Sequence, residues 1–319
     1  DKMEQKIQKL FGKIKAHKNP AERIYYPVPD NDQMIVAIEK DKEQPIIIGN
    51  LYMKRATTPA NEKTQVSYQK DNYISGLITY MLNSRLSERN KVANPPYMSS
   101  TAHDGGFFVS STKDAFSLSI SCKQDSVLEG ISIAVGEVER ARQHGFTQSE
   151  LERAKRLYLN AAERRMKMEK DYRNSHYVNQ CVNNFLKAEP ILTSNYSYEL
   201  TKQFDGEVAL DEVNRELGNI VTNKNEVFVL YGPDKEGVSL PTESQLSQTV
   251  LAAQQKKYDA YQEEPVPTTL IANLPKPGKI VAEKPYGKFG MTELTLSNGM
   301  KVYVKTTDYQ AEQVSMTMK

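Results

Sequence analysis

Along this chain apolar residues recur either every three to four positions or every second position, and the two periods predict helices and strands in turn. The sharpest helical start lies in residues 145–170, GFTQSELERAKRLYLNAAERRMKMEK. Thr147 is placed to cap it, and Glu150, three residues on, to reach back to the cap's own N–H. Phe146 and Leu151 occupy the two positions of a hydrophobic staple. Leu151, Ala154, Tyr158, Ala161 and Ala162 follow at helical spacing, interleaved with Glu152, Arg153, Lys155, Arg156, Arg164 and Arg165. One face is therefore small and apolar, and a sheet is its expected neighbour.

The same reading divides the rest of the chain. Residues 1–15 form a short amphipathic helix with Met3, Ile7, Leu10, Phe11 and Ile14 on one side. A connector follows at 17–32, kept extended by Pro20, Pro27 and Pro29. Strands are predicted at 34–39 and 46–54, the second with apolar residues on both faces. A helix over 66–89 carries the stripe Ile74, Leu77, Ile78, Met81, Leu82 and Leu86, and Gly76 leaves room for a close neighbour. Asn94, Pro95 and Pro96 stop it. Three strands are expected at 97–101, 106–111 and 115–123. In the last, Phe116, Leu118, Ile120 and Cys122 alternate with Ser117, Ser119, Ser121 and Lys123, a one-sided antiparallel pattern.

Further helices are predicted at 126–143, at 145–170 with the pattern breaking around Asn174 and resuming through Leu186, and at 196–204 and 210–220. The strand EVFVLY follows at 226–231, then a polar helix at 242–260. Residues 263–286 contain Pro265, Pro267, Pro275, Pro277 and Pro285 and read as an extended linker. Beyond them, Ser297-Asn298-Gly299 between alternating runs signals a hairpin, and a third strand begins at 313–318. The order predicts an α+β two-layer sandwich, a mostly antiparallel sheet covered on one side by helices.

Composition narrows the function classes. Forty-two Lys and Arg against 40 Asp and Glu leave a formal charge of +2, without the basic stripe that nucleic acid requires. No apolar run approaches the ~20 residues that cross a bilayer, so no membrane span is expected. At 319 residues a large domain with appended pieces is expected. The chain opens inside a helical pattern and carries no signal peptide of its own, and it reads as a piece of something longer. Cys122 and Cys181 are expected as two buried thiols rather than a disulfide.

Several stretches, taken in order, resemble one family: VPDNDQMIVAIEKDKEQ, MLNSRLSERN before PPYMSSTA, GFTQSELERAK and EVFVLYGP. They are similar to the pitrilysin/insulinase-type zinc metallopeptidases, in particular their bacterial, processing-peptidase-like branch. The closing LTLSNGMKVYVKTT resembles the hairpin with which each half of such an enzyme opens. The resemblance implies four similar α+β domains in two halves that close around a peptide-holding chamber. On that pattern residues 1–16 are the last helix of a truncated first domain, and 21–260 a metallopeptidase-like, non-catalytic second domain. Residues 261–290 are the connection between halves, and 291–319 open a third domain.

The family's zinc site is His-x-x-Glu-His on a helix with a distant glutamate, so that one helical face presents both imidazoles and the intervening carboxylate activates the metal-bound water. His17, His103, His144 and His176 include no such pair. No metal or catalytic residue is therefore assigned here, and zinc is expected in the parent protein. His103, beside Asp104 and ahead of Gly105 and Gly106, reads as a turn residue. Gly105-Gly106 is a turn signal, not a phosphate loop, and the serines at 117, 119 and 121 lack a nucleophile turn. The cluster Arg164, Arg165, Lys167 and Lys170 is broken by Glu163, Glu169 and Asp171 and reads as a solvated face.

The resemblance also implies an arginine and a following tyrosine that hold substrate. The matching positions are Arg85 in SRLSE and Tyr97 in PPYMSS, separated here by a longer segment with Pro95 and Pro96. Arg85 reads first as structural, and second as a substrate contact through its forked donors. The expected function is a chamber-forming, peptide-holding wall of a periplasmic or cell-envelope zinc endopeptidase, with peptide or unfolded protein and the other domains of the same chain as partners. The alternatives are a metal-free relative that binds or assembles, and an unrelated α+β binding domain.

Overall fold

Strand alternation and helical stripes resolve, in a computed structural model, into two units, Asp1–Tyr261 and Gln262–Lys319. The structure describes all residues except 1, 16, 23, 264–270, 272 and 310–312. Unit 1 begins with α1 (Lys2–Phe11), β1 (Ile35–Asp41), β2 (Ile47–Ala56) and α2 (Val66–Glu88). It continues through β3 (Ser99–Gly106), β4 (Lys113–Cys122), α3 (Val127–His144) and α4 (Gln148–Lys167). It ends with α5 (Asn174–Lys187), α6 (Ser194–Glu207), α7 (Leu210–Ile220), β5 (Glu226–Pro233) and α8 (Glu243–Gln255). Unit 2 contains β6 (Ile280–Tyr286), β7 (Met291–Leu296) and β8 (Lys301–Val304).

The sheet of unit 1 runs β1-β5-β2-β4-β3. Only the β1–β5 pair is parallel; β5–β2, β2–β4 and β4–β3 are antiparallel. Register sorts the side chains onto two faces. Leu51 lies opposite Leu118 and Phe228, and Leu118 opposite Ala102, a row that is buried throughout. One residue along, Tyr52 lies opposite Ser117 and Val227, and Ser117 opposite His103, on the face that is not fully buried. The pleat produces this segregation because successive side chains point to opposite sides.

The helices that touch the sheet, α2 on β3, α3 on β4 and α8 on β1, also pack α2 on α3 and α3 on α8, so they form one layer. The predicted stripe of α2 is buried, as are Ile131, Ala134, Val135 and Val138 of α3. Burying each large apolar side chain contributes ~1.5–3 kcal/mol, which ties this layer firmly to the sheet. This is the α+β two-layer architecture that the alternation implied.

Several expectations are corrected. The small face of α4 packs mainly on α2 and α6, not on a strand, because α2 and α3 already occupy the sheet. Gly76 of α2 accommodates the Tyr158 ring of α4, where a Cβ would come within 2.9 Å of Cε1 and Cζ. Residues 107–111 of the expected strand 106–111 are not a strand. Gly106 ends β3, and the chain turns through Phe108, whose φ of 49° is in the left-handed region. His103 lies within β3 rather than in a turn. Cys122 is buried but Cys181 is exposed on α5, and both are free. In unit 2 the turn at 297–299 joins β7 to β8 as expected, while Ile280–Tyr286, inside the stretch read as linker, pairs with β7. Residues 313–319 carry no regular structure.

Candidate functional site

Arg85 stands on the buried side of α2, 1% exposed, among leucines. A guanidinium there must be paired, because desolvating an unpaired charge is costly. Its partner is Glu150, in the first turn of α4. Arg85 Nε donates to Oε1 at 2.7 Å and Nη2 to Oε2 at 2.8 Å. Nη2 also donates to the Gly145 carbonyl at 3.0 Å.

Local sequence places Glu150 there. Gly145, at φ 73°, closes α3 through its N–H on the Ala141 carbonyl. Two residues on, Thr147 caps α4, its hydroxyl accepting the Glu150 N–H while Glu150 Oε2 accepts the Thr147 N–H at 2.8 Å. One carboxylate therefore completes the capping box and neutralises Arg85. The Phe146 ring lies 5.0 Å from the guanidinium carbon, and Tyr261 stacks at 4.2 Å. Tyr261 donates its hydroxyl to Glu88 Oε2 at 2.7 Å. Burial first, then the hydrogen bond to Glu88, pushes the Tyr261 hydroxyl well above the usual phenol range.

Tyr97 is 0% exposed and donates its hydroxyl to the Leu86 carbonyl at 2.8 Å, tying the segment after α2 back to that helix's last turn. Burial, then the nearby Glu137 carboxylate, pushes its hydroxyl up as well, so it remains a donor at neutral pH. The structure thus brings the two residues offered by the family resemblance to one end of α2, each with partners inside unit 1. Glu150 as the counter-ion of Arg85 was not foreseen. Its capping signature in the sequence marked the helix start but not its long-range partner.

The zinc motif's chemistry does not fit the residues present. His17 Nδ1 lies 3.0 Å from the Asn19 carbonyl, and His144 Nε2 lies 2.6 Å from the Tyr258 carbonyl. His176 stacks between Tyr172 and Tyr177. Asp104 turns from His103 to Ser75 and Arg55. Among the described residues no three His, Cys, Asp or Glu side chains come together to hold a metal ion.

A second feature is the sheet face opposite the helices. Asn50, Tyr52, Ser117, Ser119 and Ser121 are partly exposed there, with Thr101 and His103 exposed on β3. At its β3–β4 end Tyr52 packs against Phe107 and Phe108, with centroids 5.5 and 4.9 Å apart. The sequence reading saw these serines as solvent-facing strand positions but passed over the aromatic cluster, which forms only when the turn after Gly106 folds back.

Fold and side-chain network together define an α+β domain. Residues 1–158 match the family model of the Peptidase M16 inactive domain. The chain is thus similar to the insulinase-type zinc metallopeptidases, and its first 158 residues to their inactive domain. A zinc protease PQQL-like protein of Arabidopsis thaliana is 22% identical over 311 residues, 98% of this chain and 29% of that protein. The periplasmic protease PqqL from Escherichia coli shares the fold with a TM-score of 0.68 at 18% identity, covering 98% of this chain and 34% of that one. The ferredoxin protease FusC, solved in complex with Arabidopsis ferredoxin, gives 0.60 at 16% identity, over 95% of this chain and 33% of that one. The chain spans about a third of the length of these relatives. No helix among the described residues is long and apolar enough to cross a membrane.

Proposed function

We propose that this chain is the non-catalytic chamber wall of a bacterial zinc endopeptidase and that it holds peptide substrate on its uncovered sheet face. One observation carries the reading. The helices α2, α3 and α8 cover a single face of the sheet, leaving the row from Tyr52 to His103 and its neighbours partly exposed. Short polar side chains with an aromatic cluster at one end suit an extended peptide, which has few obligatory side-chain demands and many backbone groups to satisfy. Arg85 and Tyr97 hold this wall together in our reading, since their side chains are spent on Glu150, Gly145 and Leu86.

Hydrolysis belongs to the full-length protein, with zinc held by a His-x-x-Glu-His helix in another domain. Residues 1–16 then end that first domain, 21–260 form the wall, 261–290 connect the halves and 291–319 open the next domain. The family's periplasmic member supports a periplasmic or cell-envelope setting, and a relative solved with a protein bound supports protein or peptide as substrate.

Zinc content and cleavage of an unfolded peptide, measured side by side for residues 1–319 and the full-length protein, test the proposal. Stoichiometric zinc and chelator-sensitive cleavage are expected from the full-length protein only. The same activity from residues 1–319 alone would overturn it. A photo-crosslinking residue at Tyr52 in the full-length protein should capture the peptide, and one at the buried Tyr97 should not.

A further inference from the structure

Directly after α8, residues 256–261 adopt no regular structure, yet they are held at several points. Gln143, near the end of α3, grips the backbone twice. Its Oε1 accepts the Tyr258 N–H at 3.1 Å, and its Nε2 donates to the Lys256 carbonyl at 2.8 Å. His144 Nε2 meets the Tyr258 carbonyl at 2.6 Å. The Tyr258 ring fills the space over Gly136 of α3, where a Cβ would lie 2.9 Å from Cζ, and its hydroxyl donates to the Ala253 carbonyl at 2.9 Å. Three residues on, Tyr261 lies on the Arg85 guanidinium at 4.2 Å and donates to Glu88 at 2.7 Å. Unit 1 ends at this residue.

We propose that residues 256–261 form a strap that fixes where the chain departs from unit 1, and that this anchor is energetically coupled to the buried Arg85–Glu150 pair. The coupling has a direct physical cause. The Tyr261 ring shields the guanidinium from water, so lifting it hydrates the ion pair and weakens it. Conversely, without Glu150 the guanidinium loses its fixed plane, and the ring loses the cation beneath it. Coupling of this kind runs equally in both directions. The Tyr258 contacts hold the same short segment, so the backbone is released only when both anchors let go, and losing Tyr261 removes one of the two.

Lys256 and Lys257 are exposed and give trypsin two cleavage points within the strap. Cleavage requires local release of the backbone, so its rate reports the strap's opening. In the full 319-residue chain, Tyr261→Ala should speed tryptic cleavage after Lys257 ~tenfold. Tyr261→Phe, which keeps the ring and loses the Glu88 hydrogen bond, should speed it ~threefold. Glu150→Gln should also speed it, although residue 150 does not touch the strap. Wild-type rates in Tyr261→Ala, or no response to Glu150→Gln, would overturn the proposal. Hydrogen exchange separates strap release from general loosening. The proposal expects faster exchange in 256–261 with the α2 core unchanged in Tyr261→Phe, and uniform acceleration across unit 1 would refute it.

Discussion

Two consecutive helices, α4 and α5, have comparable apolar patterns and opposite fates. α4 opens with a full capping box, buries Leu151, Ala154 and Ala162, and seats its first-turn carboxylate on a buried arginine. α5 buries no residue, and its Tyr177, Val178, Val182, Phe185 and Leu186 are exposed, Phe185 by 80%. Its C-cap is Ala188 in the left-handed conformation, which only glycine and asparagine adopt at low cost. The contrast teaches that apolar periodicity announces a helix without saying whether unit 1 covers it. What distinguishes α4 is a charged residue on another helix, 65 positions away, that its carboxylate neutralises.

The comparison is broken most severely by removing that carboxylate. Glu150→Ala leaves Arg85 buried without a counter-ion and should cost unit 1 ~3–5 kcal/mol in urea unfolding. Thr147→Ala removes the hydroxyl half of the box but leaves the ion pair. It should cost ~1 kcal/mol, read the same way. Near-equal losses from the two variants would mean that Glu150 matters only as a cap. On α5, Phe185→Ser should change stability by less than ~0.5 kcal/mol, and a larger loss would show that unit 1 covers that face. The mildest probe is chemical. Iodoacetamide should label the native protein once, at Cys181, because the Cys122 thiol is 1% exposed and burial pushes it up to about 11. In denaturant both thiols should react.

Much of the fold was legible in the sequence where a short-range rule acts alone. The capping box at Thr147, the stripe of α2, the alternation of β4 and the turn at 297–299 all lie within a few residues of the groups that determine them. The misread strand at 106–111 has apolar residues in Phe107, Phe108 and Val109. Phe107 is buried against Tyr52, while Val109 is 99% exposed at the turn, so adjacent apolar residues there do not share a strand. Likewise the linker reading of 280–286 rested on proline content. Pro285 sits within β6, the edge strand that pairs only with β7, where a missing N–H can be tolerated.

By itself the chain's pattern of apolar and polar residues determined the helices and the one-sided sheet. Those depend on periodicity and on caps, which act over one or two turns. Tertiary structure alone decided that Arg85 is spent on Glu150, that Tyr158 lies on Gly76 rather than on the sheet, and that Tyr261 covers the ion pair. Each joins residues tens to well over a hundred positions apart, and nothing in local spacing specifies which buried charge or missing side chain will meet which partner.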